Sequence, residues 1–225
     1  MEKIIYLLLI ILLAFSCEEE DQFTKSTHSD EKTTYSTPPD FTTNGQVIEI
    51  PQNNGKKIHL VKYKEQYYMS NDIILTSDQV SLLKEQNKYA GKGTAINDLA
   101  KRWHNSTVYY TINPNLPNKE RVTQAIQDYR EKTPYIKFIQ RTNQPNYIEF
   151  MPSNVCNSFL GMIGGRQIIN LANGCGRGST IHEIGHALGL YHEQNRTDRD
   201  NYVRINPSNI DPDFFLLFKH MPKEV

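Results

Sequence analysis

Two histidines four residues apart, followed by a glycine and a third histidine, constrain this chain more than any other feature. The stretch reads His182-Glu183-Ile184-Gly185-His186-Ala187-Leu188-Gly189-Leu190-Tyr191-His192. A spacing of four puts His182 and His186 one turn apart on one helix face. Ile181, Ile184 and Leu188 fall on a different face, suited to packing in a core. Gly189 takes φ > 0 without a Cβ penalty, so a sharp helix end is predicted there. The chain then folds back and carries His192 to the same point. Three imidazoles around one ion, with a position left for water, form the donor set of a catalytic zinc centre rather than a closed structural one. Copper or nickel would also accept imidazole. Zinc lowers the pKa of a bound water from about 15.7 to about 7. Glu183, beside His182 but not among the ligands, suits the general base that takes the proton and later delivers it to a leaving amine. No Ser/His/Asp order stands out. His28, His59, His104 and His220 show no ligand spacing.

The N-terminus points to export. Ile4 to Phe15 is continuously apolar, and its 12 residues are too few for a membrane span, which takes about 20. The segment reads as the core of a signal peptide, residues 1–16. Ala14-Phe15-Ser16-Cys17 resembles the lipobox of bacterial lipoproteins, which would make Cys17 a lipidated first residue and the lipid an anchor to the membrane. The alternative is an ordinary signal peptide with a chance cysteine. Glu18-Glu19-Glu20-Asp21 resembles a surface-export tag, or is a solvated acidic tail. Residues 17–46 are rich in Ser, Thr, Asp, Glu and Pro and read as a disordered tether. Lys+Arg and Asp+Glu are both 25, so no bulk positive charge supports nucleic-acid binding.

Two folded regions follow. In residues 47–93, Val47 to Ile50 and Ile58 to Val61 alternate like strands around Asn53-Asn54-Gly55, a turn signal. Gly91-Lys92-Gly93 reads as a loose, protease-accessible joint. In residues 94–225, strands are predicted at Thr107 to Ile112, Ile136 to Gln140, Tyr147 to Met151 and Gln167 to Leu171. Helices are predicted from Asn118, as cap, to Lys132, and from Ser179 or Thr180, as cap, to about Leu190. Strands and helices mix without a regular alternation, which predicts an α+β fold.

The zinc stretch continues into Glu193 and through Arg196-Thr197-Asp198-Arg199-Asp200. This resembles the astacin family of metzincin zinc endopeptidases, whose motif runs HExxHxxGxxHE and on through RxDRD. The resemblance extends upstream through Gly174-Cys175, Gly164-Gly165-Arg166-Gln167 and Lys132-Thr133 to Trp103, and covers about Trp103 to Ile210. It implies a metzincin N-terminal subdomain: a twisted mixed sheet, a backing helix and a zinc-binding active-site helix. It implies His182, His186 and His192 as ligands of one Zn2+ and Glu183 as catalytic acid/base. Glu193 would contact the mature N-terminus, and Gly165 to Ala172 would be the edge strand that takes an extended peptide substrate by strand addition. Cys156 and Cys175 would form a family disulfide, which closes a loop of about 20 residues and adds roughly 3 kcal/mol. Met69-Ser70-Asn71-Asp72 loosely matches the pro-region motif whose aspartate covers the zinc; Asp72 is otherwise a surface turn acid. Arg177 matches a basic residue that in some relatives selects an acidic substrate side chain, or is a solvated loop arginine.

Two departures stand out. A second family disulfide is missing, both partners together. The family's Met-turn, with its metal-contacting tyrosine, falls further downstream than Val225, 43 residues after His182. The C-terminal subdomain is therefore expected to be largely missing, and Phe214 to Phe218 to lose its cover. The leading expectation is an exported, lipid-anchored zinc metalloendopeptidase made as a proenzyme. The alternatives are a truncated relative that binds zinc without turnover, and a surface lipoprotein that serves as a binding module.

Overall fold

A computed structural model describes residues 45–51, 57–85, 98–195 and 199–210, all within one compact unit, Thr34–Val225. The expected signal segment, Cys17, residues 18–44 of the expected tether, Gly91 to Gly93 and Phe214 to Phe218 lie outside the described residues, whereas Gln46, expected in the tether, opens the first strand. Among the described residues no helix is long and apolar enough to cross a membrane.

The fold is α+β, built on one mixed sheet of nine strands among the described residues. In chain order the strands are β1 (Gln46–Pro51), β2 (Lys57–Tyr63), β3 (Gln66–Met69), β4 (Ile73–Leu75), β5 (Thr107–Ile112), β6 (Lys137–Gln140), β7 (Tyr147–Pro152), β8 (Asn157–Phe159) and β9 (Arg166–Leu171). The helices are α1 (Ser77–Glu85), α2 (Glu120–Lys132) and α3 (Arg177–Ala187). Across the sheet the order is β1-β2-β3-β4-β8-β9-β7-β5-β6. Strands β1 to β4 form an antiparallel meander, while β9, β7, β5 and β6 run parallel. The two halves join where β4 pairs parallel with β8.

Hydrophobic patterning explains most of these elements. Strand β1 alternates toward buried Ile50, and β2 buries Ile58 and Leu60. Lys64 and Glu65, both at positive φ, make the two-residue turn that starts β3. On α2, Val122, Ala125 and Ile126 are buried at helical spacing and pack with Phe138, Ile148 and Ile184. Helix α2 ends at Lys132, just before Pro134.

Three expectations need correction. Asn118 does not cap α2: it sits at φ 50, the N-cap is Lys119, and no side chain bonds the exposed amides. Neither Ser179 nor Thr180 caps α3. The helix starts earlier, with Gly176 as N-cap, and both the N–H and the hydroxyl of Thr180 donate back to the Gly176 carbonyl, so that hydroxyl lies inside the helix and caps nothing. It also ends earlier than Leu190, at Ala187. The strand in Gly165 to Ala172 is not an edge: β9 is bonded to β7 on one side and β8 on the other. The edge of this half is β8, and β4 covers it.

Candidate metal centre

Helix α3 and its C-terminal turn assemble the three imidazoles. Leu188 caps the helix and Gly189 follows at φ 99. The Gly189 N–H donates to the His186 carbonyl and the Leu190 N–H to the Gly185 carbonyl, which is a Schellman turn. Only glycine takes that backbone cheaply. The turn aims the Leu190 carbonyl at His186 Nδ1, 2.7 Å away, and returns the chain so that His192 faces the helix. Neighbours hold the helix from several sides. Trp103 Nε1 donates to the Ala187 carbonyl at 2.9 Å, the Tyr129 hydroxyl to the Ile181 carbonyl at 3.0 Å, and the Gly161 N–H to the His186 carbonyl at 2.8 Å.

The Nε2 atoms converge as expected. His182 and His186 are 2.9 Å apart, and His182 and His192 3.1 Å. Ligand atoms about 2.0–2.1 Å from one tetrahedral zinc lie roughly 3.3 Å from each other. The leftover edge of His186 decides its tautomer: Nδ1–H donates to Leu190, so Nε2 presents a bare lone pair. Burial lowers the His186 pKa and keeps the ring neutral, against the pull of nearby Asp72. His186 and His192 are buried, whereas the His182 side chain is 46% exposed and opens the site to solvent.

A fourth donor arrives from the other half of the sheet. Ser70 and Asn71, at φ 52 and 72, turn the chain tightly between β3 and β4 and put Asp72 at the tip. Its Oδ2 lies 3.0 Å from His192 Nε2, 3.2 Å from His182 Nε2 and 3.8 Å from His186 Nε2. Burial by itself raises the Asp72 pKa, but the imidazoles around it, His182 first, outweigh it and hold the carboxyl well below the usual range. Three imidazole nitrogens and one carboxylate oxygen, all within 4.8 Å of one another, form a cluster that a divalent cation fits. Among the described residues no other such group occurs.

Glu183 lies one residue from His182 and is 2% exposed. Burial, then the charge of Asp72, pushes its pKa up to about 9, and Oε2 has no hydrogen-bond partner. It is the poised titratable group of the site. Cys156 and Cys175 are disulfide-bonded, tying the start of β8 to the loop before α3. Arg177 opens α3 with one guanidinium edge, Nε and Nη2, on the two oxygens of the Asp128 carboxylate, and it holds the Asp128 pKa low. An acidic substrate side chain would have to compete with Asp128 for it. Glu193 is exposed, in the short turn after His192.

Two features escape the sequence reading. Helix α1 is one, although Thr76-Ser77-Asp78-Gln79 before Val80 is a capping-box signal. The other is the joint apolar cluster in which Leu160 and Tyr191 pack with Leu60, Ile73, Leu75 and Val80. No local pattern reports it, because its members lie more than 100 residues apart in part.

A mixed sheet backed by α2, with two histidines on α3 and a third beyond a glycine turn, defines a metzincin-type fold. The chain belongs to the astacin family: the peptidase family described as Astacin matches residues 95–225. It is 38% identical over 113 residues to Zinc metalloproteinase nas-13 of Caenorhabditis elegans, covering 49% of this chain and 25% of that protein. It is 45% identical over 97 residues to Embryonic protein UVS.2 of Xenopus laevis, covering 42% and 19%. The chain thus spans a quarter or less of the length of these two relatives. Among solved structures it is similar to High choriolytic enzyme 1, a hatching-enzyme zinc protease from Oryzias latipes, at TM-score 0.49 and 33% identity over 57% of this chain and 69% of that one.

Proposed function

We propose that this protein is a zinc-dependent metalloendopeptidase made as a latent proenzyme. The observation that carries the reading is the convergence of His182, His186 and His192 Nε2, with buried Glu183 beside them. His182, His186 and His192 would hold the metal. Bound there, zinc supplies Lewis acidity to the scissile carbonyl and to an attacking water. Glu183 accepts the proton from that water on its carboxylate and returns it to the departing amide nitrogen. A cation held by the three histidines would oppose the burial that raises the Glu183 pKa and favour its carboxylate form.

Residues 47–93 act as the pro-region and 94–225 as the peptidase domain. Asp72 would give the metal a fourth donor, and β4 takes the hydrogen-bonding edge of β8 that an extended peptide substrate would use. Cutting between the two parts frees both, and Glu193 then contacts the new N-terminus. Residues 1–16 direct export, Cys17 carries the lipid that anchors residues 17–46 to the membrane, and the Cys156–Cys175 bridge is in keeping with an oxidising compartment. Casein hydrolysis by the matured chain that a chelator abolishes and zinc restores is the expected result. One bound zinc with no hydrolysis after maturation would leave a zinc-binding relative without turnover, and no zinc at all would leave a binding module. Palmitate labelling lost in Cys17→Ala checks the anchor.

A further inference from the structure

The pro-region takes one main-chain amide of β8 and one of the residue that follows it. The Ser158 N–H donates to the Asp72 carbonyl at 2.9 Å, and the Leu160 N–H to the Ile74 carbonyl at 3.2 Å. The Leu160 carbonyl, however, receives no main-chain N–H from β4, which stops at Leu75 before α1 begins. It accepts instead from Gln79 Nε2 at 2.8 Å. Gln79 is only 6% exposed. Its amide has one possible orientation. Oε1 accepts from the Thr76 N–H at 2.8 Å, so Nε2 must face the Leu160 carbonyl; the flipped amide would set donor against donor and acceptor against acceptor. The Gln79 N–H donates to Thr76 Oγ1 at 3.2 Å and closes a reciprocal capping box.

We propose that Gln79 is a positioning residue for latency. Its side-chain amide stands in for the main-chain N–H that a bound peptide would offer to Leu160, fills the acceptor that a parallel strand leaves open, and fixes the register that delivers Asp72 to the histidines. This rests on the pro-region reading above and specifies how that region is held. The two jobs of the amide separate chemically. Glutamate at 79 still accepts from Thr76 and still suits the first turn of a helix, but it sets an oxygen against the Leu160 carbonyl. A role in capping alone predicts that Gln79→Glu is harmless; a docking role predicts that the shared edge opens.

The test is amide hydrogen exchange on the zinc-loaded full chain. Gln79→Glu should speed exchange at Ser158 and Leu160 roughly 10- to 100-fold, as leaving one buried carbonyl unpaired does, with Leu83 in α1 and Val108 in β5 unchanged. Wild-type rates at Ser158 and Leu160 would overturn the proposal, and so would equal acceleration at Leu83, because the loss would then be of the helix. If Gln79→Glu fails to fold, uncharged Gln79→Met, which gives up both side-chain bonds, should still speed Ser158 and Leu160 more than Leu83; equal or smaller acceleration at Ser158 and Leu160 overturns the proposal. Exchange requires no turnover. A chain that never cleaves casein would therefore sink the peptidase reading while this measurement still decided the role of Gln79.

Discussion

Strands β5 to β9 close their core with two helices of their own, whereas β1 to β4 close theirs with one short helix and two residues from the other half. In the first region Val108, Phe150, Ile169 and Ile184 are wholly buried between sheet and helices. In the second, Ile50, Ile73 and Leu75 are just as buried, but Leu160 and Tyr191 complete the cluster. A region this small buries too little apolar surface to be secure alone. It gains its last contacts by docking beside His192, on the edge strand, with Asp72 at the histidines. The stability of β1 to β4 and the placement of Asp72 at the histidines are therefore one interaction seen from two sides.

The largest expected effect separates chemistry from docking. Glu183→Ala should lower hydrolysis by the matured chain by roughly 10²- to 10⁴-fold while zinc content stays at one per chain. Unchanged casein cleavage would remove Glu183 from the mechanism and leave the site unexplained. Leu160→Ala acts on the junction and should cost about 2–5 kcal/mol. In urea it should detach β1 to β4 before the rest unfolds, whereas Val108→Ala should weaken the peptidase half directly. A single shared transition in both variants would erase the contrast between the regions.

Asp72→Asn keeps the turn and removes the charge. Its full-length chain should gain about 10- to 100-fold in basal hydrolysis, the weight of a charged hydrogen-bonding partner. Basal activity equal to wild type would mean that the Asp72 charge contributes nothing to the proposed latency. The gentlest effect is a slope. Without metal, the raised Glu183 pKa means that the folded state keeps a proton which the unfolded state loses. Stability linked to this proton is complete below pH 4.5 and lost as pH rises toward about 9, at no more than about 1.4 kcal/mol per pH unit. Thermal melts of metal-free chain should show this fall, and Glu183→Gln should flatten it.

Legibility followed sequence distance. The strands at Thr107 to Ile112 and Tyr147 to Met151, the buried face of α2 and the turn at Gly189 could be read locally, because burial and backbone strain act on neighbouring residues. The helix starts at Asn118 and Ser179 were misread because capping propensity yielded to the path the chain needed before each helix. The edge was assigned to the wrong strand because β8 is three residues long and too brief to show a period.

On its own, the order of residues determined which atoms could bind a metal and which carboxylate stood beside them, since one helix and one glycine turn suffice to gather three rings. Only the tertiary structure decided that Asp72, 110 residues before His182, reaches the same point. It also decided that β4 lies on β8 with Gln79 completing the contact. Pairing between distant strands depends on which edges the rest of the fold leaves uncovered, and no stretch of neighbouring residues carries that information.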